Sequence, residues 1–303
     1  MSLTRATLLR AAAGGALSLA VGGRASAQTV MARRRIPSSG EMLPVVGVGT
    51  WLTFDQPPER RAPLGEVLRI LFENGGSVID SSPMYGASEA VVGELLAAAG
   101  SRDKAFIATK VWTQGRQAGI DQMRRSMELL RAGPRIDLMQ VHNLVDWRTQ
   151  LATLRAWKAE GRVRYLGVTH YQVSAHDELE AVMRAEALDF VQLNYALNDR
   201  AAERRLLPLA AERGIAVIVN QPFGGGGLIR RMMQKPLPGW AADIGCTSWA
   251  QILLKFVLSH PAVTCAIPGT RSVRHIEDNM AACTGRLPDA AMRKRMAEYF
   301  AKL

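Results

Sequence analysis

Eight short runs of apolar residues recur after residue 40 of this 303-residue chain, and they limit its fold more than any other feature. They lie at 44–51, 77–81, 105–112, 136–143, 164–170, 189–195, 214–221 and 263–269. The stretches between them, such as "IDQMRRSMELLRAG" and "SWAQILLKFVLSH", carry apolar residues at helical spacing. Runs that are apolar throughout and are joined by helices indicate parallel strands buried on both faces.

Eight such strand and helix units predict an α/β fold, a (β/α)8 TIM barrel, as a single domain over residues 28–303. A doubly wound sheet would usually have fewer strands and a glycine fingerprint after the first of them. "GVGTW" at 47–51 lacks the third glycine and the helix that should follow it. The glycine run Gly224 to Gly227 after the seventh apolar run fits either a mobile loop or a plain connection.

The first 27 residues differ from the rest of the chain. "MSLTRATLLR" is basic without an acidic residue, "AAAGGALSLAVGG" is apolar and small, and "ASA" ending at Ala27 has the form of a cleavage site. The apolar run is shorter than the about 20 residues that span a bilayer. We therefore predict a cleaved signal peptide over 1–27, of the twin-arginine-like or Sec type, and a periplasmic or exported protein without stable membrane insertion. Translation from Met31 would instead leave the protein in the cytoplasm.

Composition argues against two classes of function. The net charge is +11, but the arginines are scattered and no aromatic-interleaved basic cluster appears, so we expect no nucleic-acid partner. The three cysteines have no ligand spacing, and the five histidines include no H-x-H or H-E-x-x-H pairing. This pattern predicts no metal site and disfavours a metal-dependent barrel hydrolase. No coiled-coil heptad is visible, so the oligomeric state stays open.

Polar residues end most of the apolar runs. In a barrel of this kind the active site lies at the carboxyl ends of the strands. The polar residues at these ends are Asp80, Lys110, His142, Thr169, His170, Gln192, Asn194, Asn220, Gln221 and Arg271. A single one of them could be a hydrogen-bonded core group, but convergence of this many on one face favours a functional site.

Tyr85 follows Asp80 on the loop after the second run and is the residue whose pKa a neighbouring charge could tune. A phenol titrates near a pKa of about 10, and an adjacent ammonium favours its phenolate form. Lys110 could supply that charge while Asp80 holds the lysine in place. His142 is placed to orient a substrate oxygen or to donate to it.

These four residues resemble a known catalytic tetrad. Asp80, Tyr85, Lys110 and His142, in "VIDSSPMYG", "IATKVW" and "LMQVHN", match that of the aldo-keto reductases in type, order and approximate spacing. The resemblance extends from "LPVVGVGTW" to "NMAA" near residue 282. It implies NADPH-dependent reduction of a small-molecule aldehyde or ketone, with Tyr85 as proton donor. The alternative is an NADP(H)-binding barrel with little turnover, acting as a redox sensor or regulator like the potassium-channel beta subunits of this family.

The resemblance also implies a cofactor site for NADP(H). "YLGVTH" is similar to the stretch that holds the nicotinamide carboxamide, which assigns Thr169 and His170 to that group, with Gln192 in "VQLNY" as a second contact. "IPGTRSVRHIEDN" is similar to the segment that binds the 2′-phosphate and adenine. The cofactor residues assigned on this basis are Thr169, His170, Gln192, Asn220, Arg271, Arg274 and Asn279.

Independently of the resemblance, Thr270 or Ser272 could cap a helix there, and the free N–H groups of that helix would favour an anion. The chain departs from the family pattern at three positions. Gly269 stands where many members have lysine, and His275 stands where many have arginine. Asn220 occupies the position of an aromatic residue that stacks on the nicotinamide.

Overall fold

A computed structural model describes residues 31–303 of the chain. Its centre is a sheet of eight parallel strands in which each strand pairs with the next along the chain. The strands are β3 (Val48–Gly49), β4 (Val78–Asp80), β5 (Phe106–Val111), β6 (Ile136–His142), β7 (Val163–Thr169), β8 (Phe190–Asn194), β9 (Ala216–Asn220) and β10 (Val263–Ala266). Every predicted apolar run overlaps one of these strands, and the predicted (β/α)8 barrel is confirmed.

Ten α-helices accompany the strands in the described part of the chain. They are α1 (Ala62–Glu73), α2 (Ser88–Ala98), α3 (Arg116–Leu129), α4 (Trp147–Ala159), α5 (His176–Ala185), α6 (Leu206–Arg213), α7 (Gly227–Met232), α8 (Trp249–Leu258), α9 (Val273–Ala281) and α10 (Ala290–Phe300). The glycine run after β9 forms a short 3-10 turn over Gly224–Gly226 and then the first residue of α7.

The barrel closes between its first and last strands through two isolated bridges. Val46 pairs with Ala266 and Gly49 pairs with Gly269, both in parallel orientation. A Cβ atom on Gly49 would lie 2.8 Å from the carbonyl oxygen of Ile267. Glycine is therefore required at the closure because any side chain would separate the two strands.

A hairpin outside the barrel, β1 (Arg33–Arg35) paired with β2 (Met42–Pro44), covers the amino-terminal ends of the strands. Its residues Ile36 and Leu43 are buried with the side chains that fill the barrel. The other members of this inner cluster are Val78, Phe106, Ala108, Leu138, Tyr165, Phe190, Ala216, Ile218, Cys265 and Ile267. The Arg34 guanidinium donates to the backbone carbonyls of Leu258, His260 and Val263, which joins the hairpin to the end of α8 and the start of β10.

The predicted signal peptide over 1–27 lies outside the described residues. Within residues 31–303, no helix has both the length and the apolar character needed to cross a membrane.

Candidate active site

A cavity of about 870 Å³ opens at the carboxyl ends of the barrel strands. Asp80, Tyr85 and His142 belong to its lining, and Lys110 lies directly behind Asp80. The position is the one expected for a barrel of this class, because the carboxyl ends of all eight strands meet at this face. The four residues proposed as a catalytic tetrad therefore lie together.

Lys110 and Asp80 form an ion pair that is closed to solvent. The Lys110 side chain is fully buried, and its Nζ donates to Asp80 Oδ2 at 2.6 Å and to the Ser81 carbonyl at 2.6 Å. Asp80 Oδ1 accepts from Gln192 Nε2 at 2.8 Å and from Gln140 Nε2 at 3.3 Å. A buried ion pair is tolerated only when hydrogen bonds satisfy both partners, and these contacts satisfy both.

The same contacts decide the charge of the lysine. Burial lowers the pKa of Lys110, but Asp80 and Tyr85 together raise it above its ordinary value. The ammonium is therefore a permanent positive charge at the floor of the cavity.

Tyr85 contacts this charge directly. Lys110 Nζ lies 4.9 Å from the centre of the Tyr85 ring. Burial raises the pKa of Tyr85, and the opposing effect of Lys110 is smaller, so the pKa lies above its usual value. The sequence correctly predicts the direction of the effect of Lys110, but it misses the larger effect of burial. At neutral pH the phenol keeps its proton and can donate it.

His142 lies edge-on to the Tyr85 ring, with ring centres 5.9 Å apart and an angle of 86° between planes. Burial, followed by the charge of Lys110, lowers the pKa of His142 to about 2. The imidazole is therefore neutral across the physiological range. Its Nδ1 lies 3.0 Å from the hydroxyl oxygen of Ser82.

Gln140 and Ser82 are two site residues that the sequence reasoning missed. Gln140 lies two positions before His142 in β6, so both side chains point to the same face of the strand. A polar residue in the middle of a run that is buried throughout was a usable signal for Gln140. Ser82 gave no such signal, because serine is common in loops.

Five of the seven proposed cofactor residues line the cavity. They are Thr169, Gln192, Asn220, Arg274 and Asn279. His170 and Arg271 are absent from the lining. The His170 ring stacks on Tyr171, and its Nδ1 accepts from the backbone N–H groups of Tyr171 and Gln172 at 3.1 and 3.2 Å. Arg271 is exposed.

The start of α9 faces the cavity. Ser272 is the N-cap of this helix, and the Thr270 hydroxyl accepts from its backbone N–H at 3.1 Å. Arg274 lies in the first turn and Asn279 lies further along, and both line the cavity together with Thr270. A helix N-terminus with an adjacent guanidinium favours a phosphate group.

Two buried amide oxygens in the cavity lack a protein partner. Asn143 Oδ1 and Asn220 Oδ1 have no hydrogen bond to any described residue, although both asparagines line the cavity. The Asn220 amide nitrogen donates to Gln192 Oε1 at 3.5 Å and to the His170 carbonyl at 3.4 Å. A buried acceptor without a donor is costly, so these oxygens fit a ligand that brings N–H groups, such as a carboxamide.

The loops around the cavity are strained at three positions. Leu52, Asn143 and Gln221 have φ values of 58°, 52° and 49°, in the left-handed region that residues other than glycine seldom adopt. All three line the cavity. Strain of this kind costs on the order of 1 kcal/mol per residue, and it concentrates at functional sites.

The cavity wall also carries several aromatic residues. Trp51, Tyr171, Phe223 and Trp249 line the cavity in addition to Tyr85. Asn220 occupies the end of β9, where an aromatic residue was expected from the family pattern. In the described range 31–303, no group of three His, Cys, Asp or Glu residues is arranged to hold a metal ion.

Comparison with known proteins identifies the family. The chain belongs to the Aldo/keto reductase family, whose pattern matches residues 45–297. The predicted family is confirmed, because the match covers nearly the whole barrel.

Individual relatives agree with this assignment. The methylglyoxal reductase YeaE of Escherichia coli (strain K12) is 30% identical over 270 residues, which cover 86% of this chain and 93% of that protein. The aldo-keto reductase str7 of Strobilurus tenacellus is 27% identical and covers 77% of this chain and 81% of its own length. A crystal structure of a Klebsiella pneumoniae aldo/keto reductase with NADP and acetate has a TM-score of 0.75 at 25% identity, covering 90% of this chain and 95% of that one.

Proposed function

We propose that this protein reduces an aldehyde or ketone to an alcohol with NADPH as hydride donor. The observation that carries the proposal is the buried Lys110 and Asp80 pair, which lies beside Tyr85 and His142 at the floor of the cavity. Two names support it: a relative is a methylglyoxal reductase, and Klebsiella pneumoniae structures similar to this one contain NADP or NADPH.

The cavity lining offers groups suited to the nicotinamide, phosphate and adenine parts of NADPH. Bound NADPH supplies the hydride, and the protein supplies position and electrostatics. We assign Thr169, Gln192 and Asn220 to the nicotinamide carboxamide, since Asn220 Oδ1 needs a donor. Arg274 with the N-terminus of α9 takes the 2′-phosphate, and Asn279 takes the adenine. His170 and Arg271 remain predictions from the family pattern.

Tyr85 and His142 share the work on the carbonyl oxygen. Tyr85 is protonated at neutral pH and gives its proton to the oxygen as negative charge develops there. Lys110 then stabilises the phenolate that remains, and Asp80 keeps the lysine charged and in place. His142, neutral and without a charge to compete with Lys110, donates a hydrogen bond to the same oxygen.

Tyr85→Phe tests this assignment. The change removes the transferable proton and keeps the ring, so we expect turnover of methylglyoxal and of an aromatic aldehyde to fall by at least about a hundredfold. NADPH binding, followed by quenching of intrinsic tryptophan fluorescence, is expected to stay within about twofold. Unchanged turnover in this variant would refute the proposed mechanism.

A regulatory barrel is the second candidate, and one observation favours it: Asn220 replaces the aromatic residue expected to stack on the nicotinamide. The wild-type protein separates the two functions. A reductase turns over generic aldehydes with NADPH at ordinary enzymatic rates, whereas a sensor binds NADPH and turns over very slowly.

We further propose that residues 1–27 are a cleaved export signal, on the sequence pattern alone. N-terminal sequencing of the protein purified from its own host tests this proposal. A mature chain that begins at Gln28 supports export, and one that begins at Met31 contradicts it.

A further inference from the structure

Ser82 connects the loop that carries Tyr85 to His142 at the end of β6. It lies between Asp80 and Tyr85 on the loop after β4, and its side chain is fully buried. Its hydroxyl oxygen is 3.0 Å from Nδ1 of His142, which ends β6. No step assigned above to the four tetrad residues uses this hydroxyl.

The contacts of the hydroxyl decide where its proton goes. A serine hydroxyl has one proton to donate and two lone pairs that accept. The backbone N–H of Met84 already donates to this oxygen at 3.4 Å. Among residues 31–303, the other partner of the hydroxyl oxygen is His142 Nδ1. If Nδ1 carried a proton and donated it to Ser82, the buried hydroxyl proton would lack an acceptor, which is costly.

The favoured arrangement therefore has Ser82 donating to an unprotonated Nδ1. A neutral imidazole carries one proton, which must then lie on Nε2. His142 lines the cavity, and in the described chain its Nε2 has no hydrogen-bond partner, so this N–H is free for a ligand. In the other tautomer, Nε2 would present a lone pair to the substrate oxygen and repel it.

We propose that Ser82 is a positioning residue that fixes His142 in the tautomer with the proton on Nε2 and holds the ring toward the substrate oxygen. This inference rests on the proposed carbonyl reduction for its functional role, but the tautomer itself is a property of the protein without substrate. Neighbours that fix the tautomer of a metal-binding histidine commonly contribute a factor of about 10 to 100, and we expect an effect of similar size here.

Nitrogen-15 NMR of the wild-type protein tests the tautomer directly. We expect the His142 ring to show a protonated Nε2 and an unprotonated Nδ1 at neutral pH. His176 serves as internal control, because its Nε2 lies 3.0 Å from Asn194 Oδ1 and is remote from this loop. A His142 ring with its proton on Nδ1 would overturn the proposal, whatever the activity of the protein.

Ser82→Ala and Ser82→Thr test the functional role. Ser82→Ala is expected to lower kcat for aldehyde reduction about 10- to 100-fold, to leave the Kd for NADPH within about twofold, and to make the His142 ring a mixture of tautomers. Ser82→Thr restores the hydroxyl and is expected to recover most of kcat. A Ser82→Ala protein that keeps both kcat and the single tautomer would contradict the inference.

The two variants and the spectra also separate this inference from the proposed function. If the wild-type protein reduces no aldehyde, the reductase assignment fails, and the tautomer is still decided by the spectra. If Ser82→Ala does not fold, the wild-type spectra and the kcat of Ser82→Thr decide the outcome. A Ser82→Thr variant that folds, binds NADPH and lacks turnover would also count against a role for the hydroxyl.

Discussion

At neutral pH, Tyr85 keeps its proton and His142 stays uncharged at the floor of the cavity. Burial keeps the pKa of Tyr85 above its usual value, and burial with the Lys110 charge brings the pKa of His142 to about 2. Tyr85 is thus an acid that stays protonated, and His142 is a base that stays neutral. The pH dependence of the reaction follows from these two states.

We expect kcat for carbonyl reduction to be nearly constant between about pH 5.5 and 9. An ordinary histidine would add a change near its pKa of about 6.5, but the pKa of His142 is lowered to about 2, so His142 stays neutral over this whole range. Because reduction needs the Tyr85 proton and the pKa of Tyr85 is raised, activity should fall only as pH approaches or exceeds about 10. Single-turnover rates with saturating NADPH across this range check the profile. A change in the rate near pH 6.5 that persists in a His142→Gln variant would come from the titration of another group.

Arg274 and Arg271 offer a matched pair for the phosphate site. Both side chains are exposed, but Arg274 lines the cavity beside the N-terminus of α9 and Arg271 lies outside the lining. Loss of a hydrogen bond to a charged group costs about 1.5–3 kcal/mol of binding free energy. Arg274→Ala should therefore raise the Kd for NADPH by about tenfold or more. The Kd for NADH, which lacks the 2′-phosphate, should change far less.

Fluorescence titration with both nucleotides measures these constants, and Arg271→Ala is the control, with an expected change below about threefold. If Arg271→Ala weakens NADPH binding more than Arg274→Ala, the phosphate is held by Arg271, outside the cavity lining.

At the scale of elements, one glycine sets the contact between two helices. A Cβ atom on Gly93 of α2 would lie 2.1 Å from the carbonyl oxygen of Leu129, the last residue of α3. Backbone cannot move aside as a flexible side chain can. The two helices can approach this closely only because the residue at 93 has no side chain.

Gly93→Ala should therefore destabilise the protein by about 1–3 kcal/mol. Gly65→Ala in α1 is the control, because a Cβ atom there would lie 3.8 Å from the nearest atom, which belongs to Leu95. Replacing a helical glycine in open space by alanine stabilises the protein by about 0.5–1 kcal/mol. Urea unfolding of both variants measures the difference. Equal effects would show that helix propensity, and not the contact with α3, controls residue 93.

The elements differ in how well the sequence predicts them. The eight barrel strands are predictable because burial on both faces leaves an apolar run at each one. The hairpin of β1 and β2 is not, since its strands have three residues each and β1 is "RRR". Its place depends on contacts of Arg34 with carbonyls more than 220 positions away, which no local pattern shows.

The site shows the same division. Asp80, Lys110 and His142 stand out because each is a polar residue at the end of an apolar run. The net pKa of Tyr85 depends on the balance of burial against one charge, and the role of Ser82 depends on a 3.0 Å contact with a residue 60 positions away. Neither the pKa of Tyr85 nor the role of Ser82 follows from residue types alone. That His170 and Arg271 lie outside the cavity lining likewise required the folded chain.

At the scale of the whole molecule, one arginine of the last helix bonds to three separate segments of the chain. Arg293 of α10 donates to Glu203 at 2.7 Å, to the Tyr195 hydroxyl at 2.6 Å and to Ser259 Oγ at 2.6 Å. Burial is the largest of the effects that raise the pKa of Tyr195 well above its usual value, so the tyrosine remains an uncharged partner. These contacts join α10 to segments up to 98 positions away in the chain.

Arg293→Met should destabilise the protein by about 2–4 kcal/mol, because Glu203 would lose its cation in a partly buried site. Arg295→Met is the control: its contact with Asp243 is 3.6 Å and both side chains are more than half exposed. Surface pairs of this kind contribute at most about 1 kcal/mol. Thermal unfolding of both variants measures the difference. Similar changes in Tm would mean that Arg293 contributes no more to stability than a surface charge does.

The hairpin that covers the amino-terminal ends of the strands also fixes where the chain enters the barrel. Met31 is buried there, and the Ala32 N–H donates to the Cys283 carbonyl at 3.2 Å. Whatever precedes Met31 is thus attached at the pole opposite the cavity. A tether placed at this end, whether a retained leader, an affinity tag or a solid support, would leave the mouth pointing into open solution. NADPH and substrate could then reach the cavity without passing the point of attachment.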